Sequence, residues 1–163
     1  MSAKRQNDLV IRRATIEDAP LMAALNRHVQ KLHLDAEPAL YHATDHEEAV
    51  SWFRERLANP DVTVFVAEDE APLGYAMALH VRLPRNPFCP ERVRLVVDQI
   101  AVVEGVRRQG VGSRLMTSVE QLARELGVKR VQLEARAFNV DAIRFYEALG
   151  FTTVQLRLER ALT

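Results

Sequence analysis

The stretch VRRQGVGSRLM, Val106 to Met116, sets Gly110 and Gly112 among Arg107, Arg108 and Arg114, directly ahead of a helix-like segment. A helix N-terminus has free N–H groups and the positive end of the macrodipole, so it attracts anions. Glycines at that point carry no Cβ, which lets a phosphate or diphosphate come close to the backbone. Leu115 stands where G-x-G-x-x-G needs its third glycine, and no lysine follows as a P-loop requires. What remains is R-x-x-G-x-G at Arg107, Gly110 and Gly112. By itself the stretch also fits an ordinary strand-to-helix turn whose glycines serve only packing.

A second constellation is FNVDAIRFYEALGF, Phe138 to Phe151, with Asn139, Ala142, Phe145, Tyr146, Gly150 and Phe151 in an N-x-x-A-x-x-F-Y-x-x-x-G-F frame. Ala142, Phe145 and Tyr146 share one helix face by their spacing. Taken by itself, Tyr146 reads as a half-buried core aromatic of a small helix packed through Ile143, Phe145 and Leu149. Asp98, the lone carboxylate within RLVVDQIAVV, is a candidate base, and strand alternation puts it on a face with Ile100 and Val102. It could equally bind a nearby arginine or line a cleft without taking a proton. Glu134, His80 and a water chain are its rivals. His28 reads as a surface histidine, and Trp52 as core. Cys89, the only cysteine, excludes an intrachain disulfide and sits between prolines with no activating context. No metal site is expected.

The elements that must position these residues follow from periodicity and punctuation. LVIRRAT (Leu9 to Thr15) reads as a strand, and Thr15 with Asp18 opens a helix from about Ile16 to Leu32. The residues after it read as a loop up to a second helix from Thr44 or Asp45 to Asn59-Pro60. Val62 to Asp69 and Leu73 to Leu83 predict an antiparallel hairpin. Arg92 to Val103 is the longest β-branched run and predicts a central strand. The helix after the glycines carries a stripe of Leu115, Val119, Leu122 and Leu126, and Gly127 stops it. Val128 to Ala137 predicts a strand, Asn139 or Asp141 opens a short helix ending at Gly150, and Phe151 to Leu162 predicts a last strand. That strand alternates and could pair across a homodimer. The order βααβββαβαβ means α/β in one domain, residues 1–163 with a core of about 9–160.

Composition narrows the class further. Lys and Arg number 22 and Asp and Glu 22, so the net charge is zero and a generally basic nucleic-acid binder is not expected. MSAKRQNDLV lacks the apolar run of a signal peptide, and no run approaches a membrane span, so the expected compartment is the cytoplasm.

Together, R-x-x-G-x-G after a central strand and N-x-x-A-x-x-F-Y-x-x-x-G-F some thirty residues later resemble the GNAT superfamily of acyl-CoA-dependent N-acetyltransferases. The resemblance is firm over about Val93 to Phe151 and agrees with the element order from Leu9 onward. One departure is Glu104, where many members have proline; it leaves the glycines in register. The resemblance implies a central mixed, mostly antiparallel sheet flanked by helices, with acetyl-CoA as co-substrate. Its pyrophosphate would lie on Arg107, Arg108, Gln109, Gly110, Val111 and Gly112, with Ser113 at the helix start. Its pantetheine arm would pair with Ile100, Ala101 and Val102, and the Val102 N–H would face the thioester carbonyl. Asn139 and Ala142 match family positions along that arm, and Tyr146 matches the one that reaches the sulfur as general acid. The implied activity is acetyl transfer to a primary amine of a small molecule or protein by direct attack in a ternary complex. A non-catalytic acyl-CoA sensor of the same fold is the alternative. The acceptor would enter between residues 28–44 and 83–91, where His33 could border it.

Overall fold

Along VTVFVAE and GYAMALH the apolar side chains leave no polar face, so both sides of any sheet they form must be covered. The computed structural model, which describes residues 9–162, meets that demand with a five-stranded sheet between two helical layers. Strands β1 (Val10–Arg13), β2 (Val62–Glu68), β3 (Pro72–Leu83), β4 (Arg92–Val102) and β5 (Val131–Leu133) lie side by side in chain order. The first three pairings are antiparallel and β4–β5 is parallel. Helices α1 (Ala19–Ala36) and α2 (His46–Ala58) cover one face, and α3 (Val111–Glu125) with α4 (Val140–Ala148) the other. This is the α/β architecture expected from the sequence.

The period of two is visible in the cores. Val64, Val66, Tyr75 and Met77 pack with Met22, Val50 and Phe53 of α1 and α2. Their neighbours Phe65, Ala67, Ala76 and Ala78 pack with Leu115, Met116 and Val119 of α3. Leu115 is fully buried, so Leu115→Ala should lower unfolding free energy by about 2–5 kcal/mol in a denaturant titration. At the sheet's edge Arg12 holds Asp18 through two 2.9 Å contacts and Glu68 through a third. These bonds keep the Asp18 carboxyl below its usual range and tie β1 to the start of α1.

On β4 the alternation breaks. Leu95 and Val97 face α3, yet Ala101, of the same parity, faces α1. Met77 stands opposite Gln99 and Ala78 opposite Val97, which leaves Asp98 without a partner in a β-bulge. The ladder with β5 covers only Leu95–Val97 and ends where the bulge begins.

Several expectations are corrected. Ile16–Asp18 is a single 3-10 turn, with Asp18 accepting the Thr15 N–H at 2.7 Å, and the α-helix starts at Ala19 beside Pro20. It runs past Leu32 to Ala36, ahead of Pro38, which disfavours helical geometry in Glu37. The strand expected over Val128 to Ala137 shrinks to Val131–Leu133, because β4 offers no ladder beyond its bulge. Leu126 caps α3 from outside and is exposed rather than part of the buried stripe. The last strand is absent: residues 151–162 have an alternating pattern but no partner. Residues 1–8 and 163 lie outside the described residues, and with them most of the N-terminal stretch read for a signal peptide. No helix among the described residues is long and apolar enough to cross a membrane.

Candidate active site

The glycine turn leads from β4 into α3. After Val102 the chain makes a 3-10 turn over Glu104–Val106, so Glu104 is accommodated without a proline. Arg108 then adopts φ 65° and Gly110 φ 81°, both left-handed. A non-glycine residue held there costs about 1 kcal/mol, and such strain gathers at binding loops. Gly110 is the N-cap of α3 and supplies no side-chain cap, whereas Asp45 caps α2 and Asn139 caps α4. The first N–H of α3 to bond back is that of Arg114, to the Gly110 carbonyl at 3.0 Å. The N–H groups of Val111, Gly112 and Ser113 therefore have no acceptor within the helix. Space beside Gly110 is open, since a Cβ there would meet nothing within 4 Å. Arg107, Arg108 and Arg114 are exposed and make no ion pair among the described residues.

Gly112 has a different task. A Cβ on it would lie 3.0 Å from Cζ of Phe145, so its hydrogen is what lets α4 seat against the start of α3. The two constellations thereby meet. Val111 and Tyr146 are buried in one cluster, with Ile100, Val102, Ala142, Phe145 and Phe151 packed around it. Tyr146 touches Phe145 and Phe151, with ring centroids 5.2 Å and 5.9 Å away. Burial pushes its phenol up to about 12, so it stays protonated well above neutrality. Its hydroxyl makes no hydrogen bond among the described residues. Asn139 spends its Oδ1 on the Ala142 N–H at 3.2 Å, which leaves the amide N–H₂ for another partner.

The edge of β4 beyond the bulge is open. Val103 donates its N–H to Leu73 of β3 at 2.8 Å. By alternation the N–H groups of Ile100 and Val102 point the other way, toward the edge that β5 has left. Ala101 points into the opposite core. Arg107 reaches back to the Val102 carbonyl at 3.4 Å, so the glycine turn and this edge adjoin.

Asp98 does not join this group by simple alternation, as the sequence suggested, because the bulge falls on it. It is exposed, and its charge acts on the Tyr75 hydroxyl across the sheet. Of its rivals, Glu134 is exposed and 3.7 Å from Arg157. His33 lies between Tyr41 and Phe138, at 4.9 Å and 5.7 Å, and burial together with Arg136 lowers its pKa. Trp52 is only half-buried, with Arg56 stacked 4.7 Å over its ring.

Sequence reasoning missed one polar cluster. Fully buried Tyr75 donates to Gln99 Oε1 at 2.7 Å and accepts from Asn26 Nδ2 at 2.8 Å, and Asn26 also reaches Gln99 at 3.2 Å. Desolvation raises the Tyr75 pKa far out of range, so it is always a donor. The cluster ties α1 to β4 next to the bulge. Nothing in local sequence marks Asn26, which lies inside a helical apolar stripe. No group of three His, Cys, Asp or Glu among the described residues is placed to hold a metal ion.

An open strand edge thus runs into an uncapped, glycine-opened helix within a mixed sheet covered by helices on both faces. The chain belongs to the GNAT acetyltransferase family, whose model matches residues 26–151. It is similar to the aminoglycoside N(6′)-acetyltransferase type 1 of Serratia marcescens, 29% identical over 72% of this chain and 81% of that one. The ribosomal protein bS18-alanine N-acetyltransferase of Escherichia coli is 27% identical over 74% of this chain and 77% of its own length. Among solved structures, the aminoglycoside N-acetyltransferase AAC(6′)-Iy in complex with CoA shares the fold with a TM-score of 0.77 and 17% identity, covering 99% of each chain.

Proposed function

We propose that this protein moves the acetyl group of acetyl-CoA onto a primary amine by direct attack, with both substrates bound together. The observation that carries the reading is the open edge of β4 at Ile100 and Val102, continuous with the uncapped N-terminus of α3. The N–H groups of Val111, Gly112 and Ser113, with the Arg107–Gly110 turn, suit a pyrophosphate. Arg108 and Gln109 border it as exposed side chains, and Gln109 already donates to the Gly105 carbonyl at 3.3 Å. Ile100, Ala101 and Val102 offer the pantetheine arm a strand to pair with, and the Asn139 amide and Ala142 line its path.

In the reaction the amine nitrogen bonds to the thioester carbon, and the carbonyl oxygen takes the negative charge. The Val102 N–H faces that oxyanion. When the C–S bond breaks, the sulfur leaves with the electron pair and takes the Tyr146 proton. Because burial makes Tyr146 a weaker acid than a free phenol, it first hydrogen-bonds the developing thiolate, and the proton follows as the bond opens. Asp98, exposed on the same strand as Val102, takes the proton that the amine sheds, and solvent returns it to Tyr146. The products are an amide and a free thiol.

Asp98→Asn tests the base. It should lower kcat by no more than about 10²-fold, the low end of acid–base contributions, because solvent can partly replace an exposed carboxylate. A kcat unchanged in Asp98→Asn would return the role to water or another group. For the acceptor, the relatives support an amine carried by a small molecule or by a protein. Glu37 and Tyr41 on the acceptor side are held by Arg136, which gives both charge signs, and His33 packs on the Tyr41 ring.

A further inference from the structure

We propose that Asn26 and Gln99 recognise the acceptor, and that they select an amine with a carbonyl or hydroxyl oxygen on the carbon next to the amine-bearing one. The inference rests on the acetyl-transfer reading, which supplies the amine.

Its basis is the hydrogen-bond count of one cluster. Tyr75 is fully buried and has a single hydroxyl proton, which goes to Gln99 Oε1 at 2.7 Å. It accepts in return from Asn26 Nδ2 at 2.8 Å, and Nδ2 also reaches Gln99 Oε1 at 3.2 Å. Turning either amide alone would oppose two oxygens or two N–H₂ groups. The two amides are therefore locked to each other, and each has one end left over: the Asn26 Oδ1 acceptor and the Gln99 Nε2 donor. Neither end has a partner among the described residues, and neither is sealed from the surface as His33 Nδ1 and Arg94 Nε are. An apolar contact would join helix and sheet without desolvating a hydroxyl; the hydroxyl adds a fixed orientation to two amides that otherwise turn freely.

The pair stands where an acceptor must pass. Gln99 follows Asp98 of the bulge and reaches toward α1, on the sheet face that Tyr75 and Ala101 share. Asn26 lies on α1 one turn after Met22 and Ala23, on the way to His33. The Asp98 charge acts on the Tyr75 hydroxyl, so carboxylate and cluster are neighbours. A strand rises about 3.3 Å per residue, which sets Gln99 about 10 Å along β4 from Val102, room for a small amine beside a thioester. Asn26 Oδ1 accepts one N–H of the amine and leaves the nitrogen lone pair for the thioester carbon. Gln99 Nε2 donates to the acceptor's oxygen. A plain alkylamine answers only the carbonyl, whereas an α-amino amide or a vicinal amino alcohol answers both groups.

Alaninamide, alaninol and isopropylamine share an amine-bearing carbon and its methyl group; they differ in a carboxamide, a hydroxymethyl or a second methyl. In titration calorimetry of the full chain with CoA present, the better of the first two should bind about tenfold more tightly than isopropylamine, the strength of one hydrogen bond. Which of them it is tells a carbonyl from a hydroxyl. Gln99→Glu should abolish the preference: its carboxylate keeps an oxygen for Tyr75 and Asn26 but replaces the free N–H₂ with an acceptor that repels the substrate's oxygen. Tyr75→Phe, which only unlocks the amides, should cut the preference to about threefold. Loss of folded protein does not move a ratio between amines, so a purely structural role would leave it at the wild-type value. Wild-type protein that binds the three alike or not at all, or a preference that survives Gln99→Glu, would overturn the proposal. Thiol release from acetyl-CoA separates it from the reading it rests on. Preference without transfer ends the transfer reading alone, and transfer without preference ends the recognition alone.

Discussion

Tyr146→Phe should lower kcat by about 10²–10⁴-fold, the range for a positioned proton donor, while the Kd for acetyl-CoA changes by less than about threefold. The split between the two constants is what identifies the role. The ring packs against Phe145 and Phe151, and phenylalanine keeps those contacts. The hydroxyl makes no hydrogen bond within the described residues, so its loss leaves no partner stranded and should cost little stability. A pH series sharpens the test. Burial raises the phenol to about 12, so the protonated form persists beyond the ordinary tyrosine range and the falling limb of kcat should be displaced upward. The same sign governs stability. Tyr146 contributes fully below its unfolded value near 10, and that contribution is lost as pH rises toward 12. Turnover unchanged in Tyr146→Phe would remove the phenol from the reaction.

Gly110→Val should raise the Kd for acetyl-CoA by about 10²-fold, the equivalent of one or two charge-assisted hydrogen bonds. Contact with neighbours is not the cause, because the space beside Gly110 is open. The cause is φ 81°, which a β-branched residue adopts only under strain. The turn would relax, and the N–H groups of Val111, Gly112 and Ser113 would lose their common aim. Gly112→Ala is the control. Its Cβ would press on Phe145 at 3.0 Å and so acts first on the α3–α4 packing and on thermal stability. Titration calorimetry and a melting curve on the same two variants separate binding from packing.

The glycine turn and the Asn139–Phe151 frame were legible because each depends on local chemistry: a left-handed N-cap, an amide cap, a helical spacing. Their meeting depends on Gly112 admitting Phe145, a contact no spacing rule contains. Asp98 shows the opposite limit. Strand parity is a sound guide until a bulge inserts one residue, and RLVVDQIAVV carries no glycine or proline to announce it. The same bulge explains why β5 is short. The Asn26–Tyr75–Gln99 cluster joins a helix to two strands far apart in sequence, so only the folded chain assembles it. The C-terminal segment was read as a strand from a pattern that is real, but a pattern makes a strand only where a ladder awaits it.

The measurement closest to the central claim is free-thiol release from acetyl-CoA, with the acceptor analysed by mass spectrometry. The amines would include aminoglycosides and alanine-bearing peptides, the acceptor types named for the relatives. The account predicts thiol release in step with acetylation of one amine, greatly reduced in Tyr146→Phe. Acetyl-CoA that binds tightly yet releases no thiol with any amine would contradict transfer and make the protein a binding module of the same fold.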